Sequence, residues 1–220
     1  NGRQSQVIEV ISGKAGIANR GLNRWGIAVQ QNHTLEGSLY MKQIARKAHV
    51  LVALESLGGK VYASQELKPE KGDWQQYTFQ LHPSATDNNA RFVIYVDGKG
   101  KYAFVQVRLG STAENRFHGL PVRKDIGEAI QQEGVTFLRY AGTMINNPDY
   151  TFRNMTGPAD KRAPYNGHWN KYSTNGFGIE EFLQYCEAAK IKPVFAINVE
   201  ESPETVAFMV EYLNGSTQTA

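Results

Sequence analysis

Glu200 and Glu201 directly follow an apolar run, Pro193–Val199, that reads as a buried strand. Adjacent carboxylates at the end of such a strand can act as proton donor, general base or nucleophile. The same pair precedes Ser202-Pro203, a helix start, where acidic side chains simply favour the positive end of the helix dipole. Both readings stay open. Glu180 and Glu181 lie early in another helix, and the dipole alone accounts for them. Arg139 ends a second apolar run, Thr136–Ala141. A guanidinium on a buried strand needs a partner, either a structural carboxylate or a ligand. Asn146 and Asn147 can meet hydroxyl groups, although Asn-Asn-Pro is also an ordinary turn.

Other chemistries find little support. His33, His49, His82, His118 and His168 lack metal-ligand spacing, and Cys186 is the single cysteine, so no zinc site or disulfide framework is expected. Gly98-Lys99-Gly100-Lys101 reads as a hairpin turn and lacks the strand–loop–helix setting of a phosphate loop. The 24 Lys+Arg against 21 Asp+Glu give a net charge of +3, spread evenly, so no nucleic-acid partner is expected. No apolar run approaches the ~20 residues of a membrane helix, so no membrane partner is expected. The opening Asn1-Gly2-Arg3-Gln4-Ser5 has no initiator Met, basic region or apolar region, and reads as the interior of a longer gene product.

These candidates need elements to hold them. Residues 4–110 read as β, with short runs at Gln6–Ile11, Trp25–Gln30, Gly37–Arg46, Val50–Glu55, Lys60–Leu67, Trp74–Leu81, Arg91–Val96 and Tyr102–Leu109. The last two are joined by a hairpin signal, Asp97-Gly98-Lys99-Gly100. Phe92, Ile94 and Val96 alternate with Val93 and Tyr95, so both faces of that strand are apolar. Many short strands at this spacing predict a β-sandwich of jelly-roll type. Residues 119–215 change period. Val122, Ile126, Ala129 and Ile130 share a helix face, and that helix stops at Gly134. After Thr136–Ala141 comes a long loop, from Gly142 to about Ser173, of a length that is usually functional. Ser173 or Thr174 is expected to cap a helix with Ile179, Phe182, Leu183, Cys186 and Ala189 on one face. Ser202 caps a last helix, which Gly215 ends. Helix–strand–helix–strand–helix is the repeat of a parallel sheet, but a (β/α)8 barrel needs eight strands in ~250 residues. The expected fold class is β + α/β: a jelly-roll sandwich over 1–115, then part of a barrel over 116–220.

Several motifs stand in a telling order. Arg123-Lys124-Asp125 precedes Phe137-Leu138-Arg139-Tyr140, then Tyr150-Thr151-Phe152-Arg153, Gly157-Pro158 and Arg162. His168-Trp169, Ser173-Thr174-Asn175-Gly176-Phe177-Gly178, Glu181-Phe182, Cys186-Glu187, Pro193–Asn198 and Val210-Glu211-Tyr212-Leu213-Asn214-Gly215 follow. Over about residues 120–216 the chain resembles α-L-arabinofuranosidases of glycoside hydrolase family 51. In the first half, Trp25-Gly26-Ile27-Ala28-Val29, Gly72-Asp73-Trp74-Gln75-Gln76-Tyr77 and Pro83-Ser84-Ala85-Thr86-Asp87 resemble the carbohydrate-binding-type jelly roll that many bacterial members insert.

The resemblance implies a retaining glycosidase acting on plant cell-wall polysaccharide, secreted or periplasmic. It implies that Arg139, Trp169, Asn146 and Asn175 meet the substrate, with the Trp169 ring stacked on a sugar. The family's proton donor and nucleophile are Glu residues on strands beyond the matched region, which leaves Glu200 and Glu201 as weak catalytic candidates. Typical members read Pro-Gly-Gly-Asn where this chain has Ala141-Gly142-Thr143-Met144, and that keeps a β-1,4-glucan endoglucanase open as an alternative. A non-catalytic carbohydrate-binding fragment is a further alternative, with Trp25, Tyr40 and Tyr62 as the stacking platform and Trp74 in the core. No cofactor is expected, although a jelly roll of this type can hold a structural calcium ion. Two parallel strands alone leave apolar edges, so self-association or completion by further barrel segments is expected.

Overall fold

The computed structural model describes residues 4–168 and 173–216. The chain divides into two compact units, within Gly2–Asn115 and Arg116–Ala220.

The first unit is an antiparallel β-sandwich. Its strands are β1 (Gln6–Val10), β2 (Lys14–Asn19), β3 (Ile27–Val29), β4 (Leu35–Ala45), β5 (His49–Glu55), β6 (Val61–Leu67), β7 (Gln75–Leu81), β8 (Asp87–Asp97) and β9 (Gly100–Ser111). One sheet runs β1-β9-β4-β7, and the other runs β2-β8-β5-β6 with β3 also on β8. Alternation along each strand explains the packing. Leu39 and Met41 of β4, Phe79 of β7 and Phe104 of β9 meet Val50, Val52 and Leu54 of β5 and Phe92 and Ile94 of β8 in one core. Phe79 and Phe92 stack at 5.7 Å between ring centroids. At Gly37 the Phe79 ring lies so close that an added Cβ would stand 2.3 Å from its Cζ. Tyr102 is buried and ties down the β4–β5 turn, donating to the Ala48 carbonyl at 3.1 Å and accepting from its N–H at 2.8 Å. The β8–β9 turn has Gly98 at φ 96°, a left-handed position that glycine takes without steric cost.

The sequence runs match eight of these strands but miss β2. Lys-Ala-Gly-Ile-Ala-Asn has no alternation to betray it. Gly16 is needed there because an added Cβ would lie 2.5 Å from the Ile94 carbonyl oxygen and 2.7 Å from the Tyr95 ring. Trp74 precedes β7 and is exposed, not core, because its neighbours Gly72 and Asp73 leave it in an open turn.

In the second unit α1 (Lys124–Gln132), β10 (Phe137–Tyr140), α2 (Ile179–Ala189), β11 (Lys192–Phe195) and α3 (Pro203–Asn214) follow in order. β10 and β11 pair in parallel, with Phe137 opposite Lys192 and Tyr140 opposite Phe195. Phe182, Tyr185, Cys186 and Ala189 of α2 pack with Phe117 and Ile191. Gly127 of α1 admits the Phe117 ring, where a Cβ would be 2.6 Å from it. A second cluster joins Tyr150, Phe152, Met155, Ile179 and Met209. The strands are not buried on both sides as their apolar runs suggested: Phe137 is 64% and Val194 48% exposed. The two described strands form a parallel pair, not a closed barrel.

Helix ends follow local chemistry. Ser202 caps α3 by accepting the Thr205 N–H, and Pro203 occupies the first position. Gly134, at φ 69°, lies just past α1. The expected cap of α2 at Ser173 or Thr174 is corrected. Its N-cap is Gly178, and the Glu181 carboxylate reaches back to the Gly178 N–H at 2.7 Å.

Candidate functional site

Parallel strands deliver their chemistry at their C-terminal ends, where the following loops gather. Here those loops are 141–178, after β10, and 196–202, after β11. Among its described residues the long loop holds two short 3-10 turns, Thr143–Asn146 and Phe152–Met155. Backbone bonds satisfy part of it, including the antiparallel bridge between Tyr165 and Ser173. Backbone groups outside such pairs need side-chain partners, and buried polar residues supply several of them.

One knot joins the two loops. The Asn198 amide donates to the carbonyls of Asn147 at 3.1 Å and Tyr150 at 3.3 Å, and its oxygen accepts the Glu200 N–H at 3.0 Å. Asn147 donates to the Asn166 carbonyl at 2.5 Å and accepts from the Asp149 N–H at 2.9 Å. Glu201 accepts the Phe152 N–H at 2.9 Å through Oε1. Burial pushes the nearby Tyr150 phenol well above its ordinary value, with smaller contributions from Tyr140, Tyr165 and Glu201.

A second knot centres on Arg162, whose side chain is 2% exposed. It donates in bidentate fashion to Glu181 at 2.8 Å on both oxygens, to Glu180 at 3.2 Å, and to the Gly157 and Asn175 carbonyls. Burial pushes the Glu181 carboxyl up, but the bonds from Arg162 and the Gly178 N–H outweigh it and hold the group below the usual carboxylate range. Glu180 also accepts from the Tyr212 hydroxyl at 2.5 Å, which ties α3 to α2. Dipole placement is therefore only part of the role of these two acids: they neutralise the loop's buried cation.

The expected site residues separate into three groups. Arg139 lies on β10 opposite Val194 and is exposed, not buried; it forms no ion pair with any described residue. Its Nη2 lies 3.7 Å from where a Cβ on Gly142 would stand, so the guanidinium reaches over the loop that follows the strand. Asn146 is exposed at the end of the first 3-10 turn, and Glu200 is exposed in the second loop. Asn175 and Glu201 belong to the scaffold. Asn175 is 4% exposed and spends its amide on the Ala163 carbonyl at 2.9 Å, which corrects its reading as a substrate contact. Trp169 lies outside the described residues. Tyr140, next to Arg139, is a packing residue: it stacks on Phe182 at 5.2 Å and donates to the Phe177 carbonyl, and burial pushes its phenol up to about 12.

Trp25, Tyr40 and Tyr62 do not form one platform. Trp25 is 73% exposed just before β3, Tyr40 belongs to β4 in the first sheet, and Tyr62 belongs to β6 in the second. Tyr62 is partly buried against the core and donates to Asp87 at 2.8 Å. Among the described residues no group of three His, Cys, Asp or Glu side chains is placed to hold a metal ion, so the calcium allowed for the sandwich has no such ligand set there.

Arg162, Asn147 and Asn198 were not singled out as a framework by sequence reasoning. The signal was available for Arg162: an arginine among Gly, Pro and Ala in a long loop needs a buried acid, and Glu180-Glu181 is the nearest helix-start pair.

Comparison with known proteins agrees with this architecture. Residues 130–220 match the family described as the alpha-L-arabinofuranosidase 1 domain. A probable α-L-arabinofuranosidase A of Emericella nidulans is 30% identical over 194 residues, covering 84% of this chain and 31% of the relative. A probable α-L-arabinofuranosidase A of Aspergillus terreus is 24% identical over 199 residues, with the same coverage. The chain thus spans about a third of the length of these curated relatives. The arabinose-bound α-L-arabinofuranosidase MgGH51 superposes with a TM-score of 0.81 at 23% identity, over 96% of this chain and 38% of that one. The chain is similar to part of these α-L-arabinofuranosidases, and it shares the fold of the corresponding part of MgGH51.

Proposed function

We propose that this relative of the α-L-arabinofuranosidases forms part of a retaining glycosidase that removes α-L-arabinofuranosyl groups from plant cell-wall polysaccharide, outside the cell. The observation that carries this reading is the match of residues 130–220 to the alpha-L-arabinofuranosidase 1 domain. In this reading residues 116–220 contribute two units to a (β/α)8 barrel, and 1–115 form a carbohydrate-binding-like jelly roll. The exposed Phe137 and Val194 on the parallel pair support completion by neighbouring strands or, in their absence, self-association.

Double displacement needs two carboxyl groups ~5–5.5 Å apart, one to protonate the leaving oxygen and one to attack the anomeric carbon. Glu201 spends Oε1 on the Phe152 N–H while its Oε2 is buried without a partner among the described residues, so the loop framework holds it away from solvent and it is poorly suited to either role. Arg139 is the group in this chain best placed to act on substrate. Its exposed guanidinium can donate paired hydrogen bonds to sugar hydroxyls or to a catalytic carboxylate. Trp169 and Asn146 belong to the same proposed sugar site.

The test is product analysis with arabinan, arabinoxylan and β-glucan, using the protein that carries this chain and its Arg139→Ala variant. Single arabinose units with retained anomeric configuration are expected, and the variant should lose about tenfold to a hundredfold in kcat/KM, the worth of a charged hydrogen bond. Internal cleavage of β-glucan, inverted product, or an Arg139→Ala variant of full activity would overturn the reading.

A further inference from the structure

We propose that the rim of the sandwich formed by β2 and the loop 20–26 docks an extended acidic polypeptide segment. β2 ends its sheet and pairs, among the described residues, with β8 alone, so alternate N–H and C=O groups along it face outward without a ladder. Its residues are exposed apart from Ile17, which packs against the core. Pairing with β8 breaks after Asn19, opposite Phe92, and resumes at Ile27, opposite Ala90. The residues between stand out as a loop, closed by the Gly26 N–H on the Arg20 carbonyl at 2.8 Å.

That loop is held stiffly. The Gly21 N–H bonds the Asn19 side chain at 2.7 Å, and the Trp25 N–H bonds the Leu22 carbonyl at 3.0 Å. Asn23 and Arg24 are both left-handed, at φ 50° and 61°. Successive non-glycine residues in that region are uncommon, persist only where the surrounding structure imposes them, and gather at ligand-holding loops. The result here is display: Leu22 is 67% exposed, and Trp25 and Arg24 are exposed beside it.

Charge selects the occupant. No Asp or Glu occurs between Glu9 and Glu36, whereas Lys14, Arg20 and Arg24 do. By register the acids on the neighbouring strand are Asp97, opposite Lys14 at the far end of β2, and Asp87, which already accepts from Tyr62 and the Asn89 N–H. Among the described residues no carboxylate pairs with Arg20 or Arg24, and the Arg20 Nε is buried without an acceptor. A carboxylate laid along the edge of that guanidinium supplies the missing partner. A second copy of this chain would set arginine against arginine, and like charges oppose such pairing. A membrane surface would meet two apolar side chains and two arginines, and would leave the open β2 edge unused. An extended acidic segment uses every feature: its backbone adds a strand to β2, its carboxylates meet Arg20 and Arg24, and an apolar side chain covers Leu22 and Trp25. This inference depends neither on hydrolysis nor on sugar binding.

The test is fluorescence anisotropy with the 220-residue chain and three short dye-labelled peptides. One alternates Glu with Thr and carries a single Leu, one has Gln in place of each Glu, and one is the Glu peptide N-methylated at alternate residues. Only the first is expected to bind, less tightly as salt screens it. Arg20→Gln/Arg24→Gln should weaken it about tenfold, the worth of two exposed charge pairs, and Trp25→Ala should weaken it as well. Lys68→Gln/Lys71→Gln, which removes the same charge from exposed positions elsewhere, should bind as the parent does. Circular dichroism on each variant separates lost binding from lost fold. No binding of the Glu peptide, equal binding of the Gln or N-methylated peptide, or equal loss in the two charge-matched variants would overturn the proposal. So would uptake of the chain by phosphatidylserine vesicles in place of the peptide, which would assign the rim to a membrane, or a sedimenting dimer that Trp25→Ala dissolves, which would assign it to a second copy.

Discussion

Replacing Arg162 by Ala tests whether the long loop is held by a buried ion pair. Arg162 is 2% exposed and its main partner Glu181 13%. Removing the guanidinium leaves the Glu181 carboxylate with backbone N–H partners but no cation, and strips two loop carbonyls of their donors. Breaking a buried pair by deleting one partner costs about 3–5 kcal/mol, because the remaining charge is uncompensated. For a unit of this size each kcal/mol shifts Tm by roughly 4–8 °C, so a fall of roughly 12–40 °C is expected in the calorimetric transition of the second unit. Adding Glu181→Gln to Arg162→Ala should recover part of this, since it removes the orphaned charge. The pH profile supplies an independent check. The Glu181 carboxyl is held below its ordinary value of 4.5 in the folded state. Its contribution is therefore fully present above about pH 4.5 and is lost as pH falls through the lower folded value. Arg162→Ala should flatten that acid limb. A variant melting within about 5 °C of the parent, with its acid limb unchanged, would refute the reasoning.

Two further substitutions probe the scaffold. Gly37→Ala would set a methyl 2.3 Å from Phe79 Cζ and 2.6 Å from the Arg108 carbonyl oxygen, and overpacking of this kind costs about 1–3 kcal/mol. Chemical denaturation followed by tyrosine fluorescence should show the loss in the sandwich, and an unchanged midpoint would mean that β4 and β7 separate freely. Ser202→Ala removes the hydroxyl that accepts the Thr205 N–H and should cost about 1 kcal/mol, whereas Ser202→Asp should keep most of the parent stability. Equal losses in both variants would show that the cap contributes through packing rather than hydrogen bonding.

What could be read from the sequence follows the range of the forces involved. Strands with alternation, such as β4 and β7, were legible because a period of two reports directly which face is buried, and β8 was legible from its continuous apolar run beside a hairpin turn. β2 was not, since Lys-Ala-Gly-Ile-Ala-Asn is shaped by one close approach, Gly16 on Ile94 and Tyr95, that only the tertiary pairing creates. The α3 cap at Ser202 was legible because its partner is three residues away. The α2 cap was misplaced because Glu181 satisfies Gly178 from inside the helix, so no Ser or Thr is required. The loop framework was hidden for the same reason: Asn198 meets Asn147 and Tyr150, and Arg162 meets Glu181, across separations that no local pattern encodes. Arg139 was placed on an apolar strand, where β10 indeed carries it, but its burial was misjudged, because an apolar run does not say whether its second face is covered.

The division between bound and unbound polar groups narrows where chemistry can occur. Asn147, Asn175, Asn198, Arg162 and Glu181 have their hydrogen-bonding groups turned to the chain itself. A ligand could engage them only by breaking bonds that hold the loop, and a side chain that leaves a buried partner unpaired loses about 1–3 kcal/mol before any gain from the ligand. Arg139 faces no such penalty: it is exposed, unpaired among the described residues, and borne on a strand rather than on the loop. Rigid backbone beneath and a free guanidinium above is the arrangement that orients a hydroxyl or a carboxylate at little conformational cost. In the proposed site the polar knots would serve the geometry without entering it. They hold the walls, and so a substitution in them should lower stability first and activity only through the lost geometry, whereas a substitution at Arg139 should lower activity in a protein that melts as before.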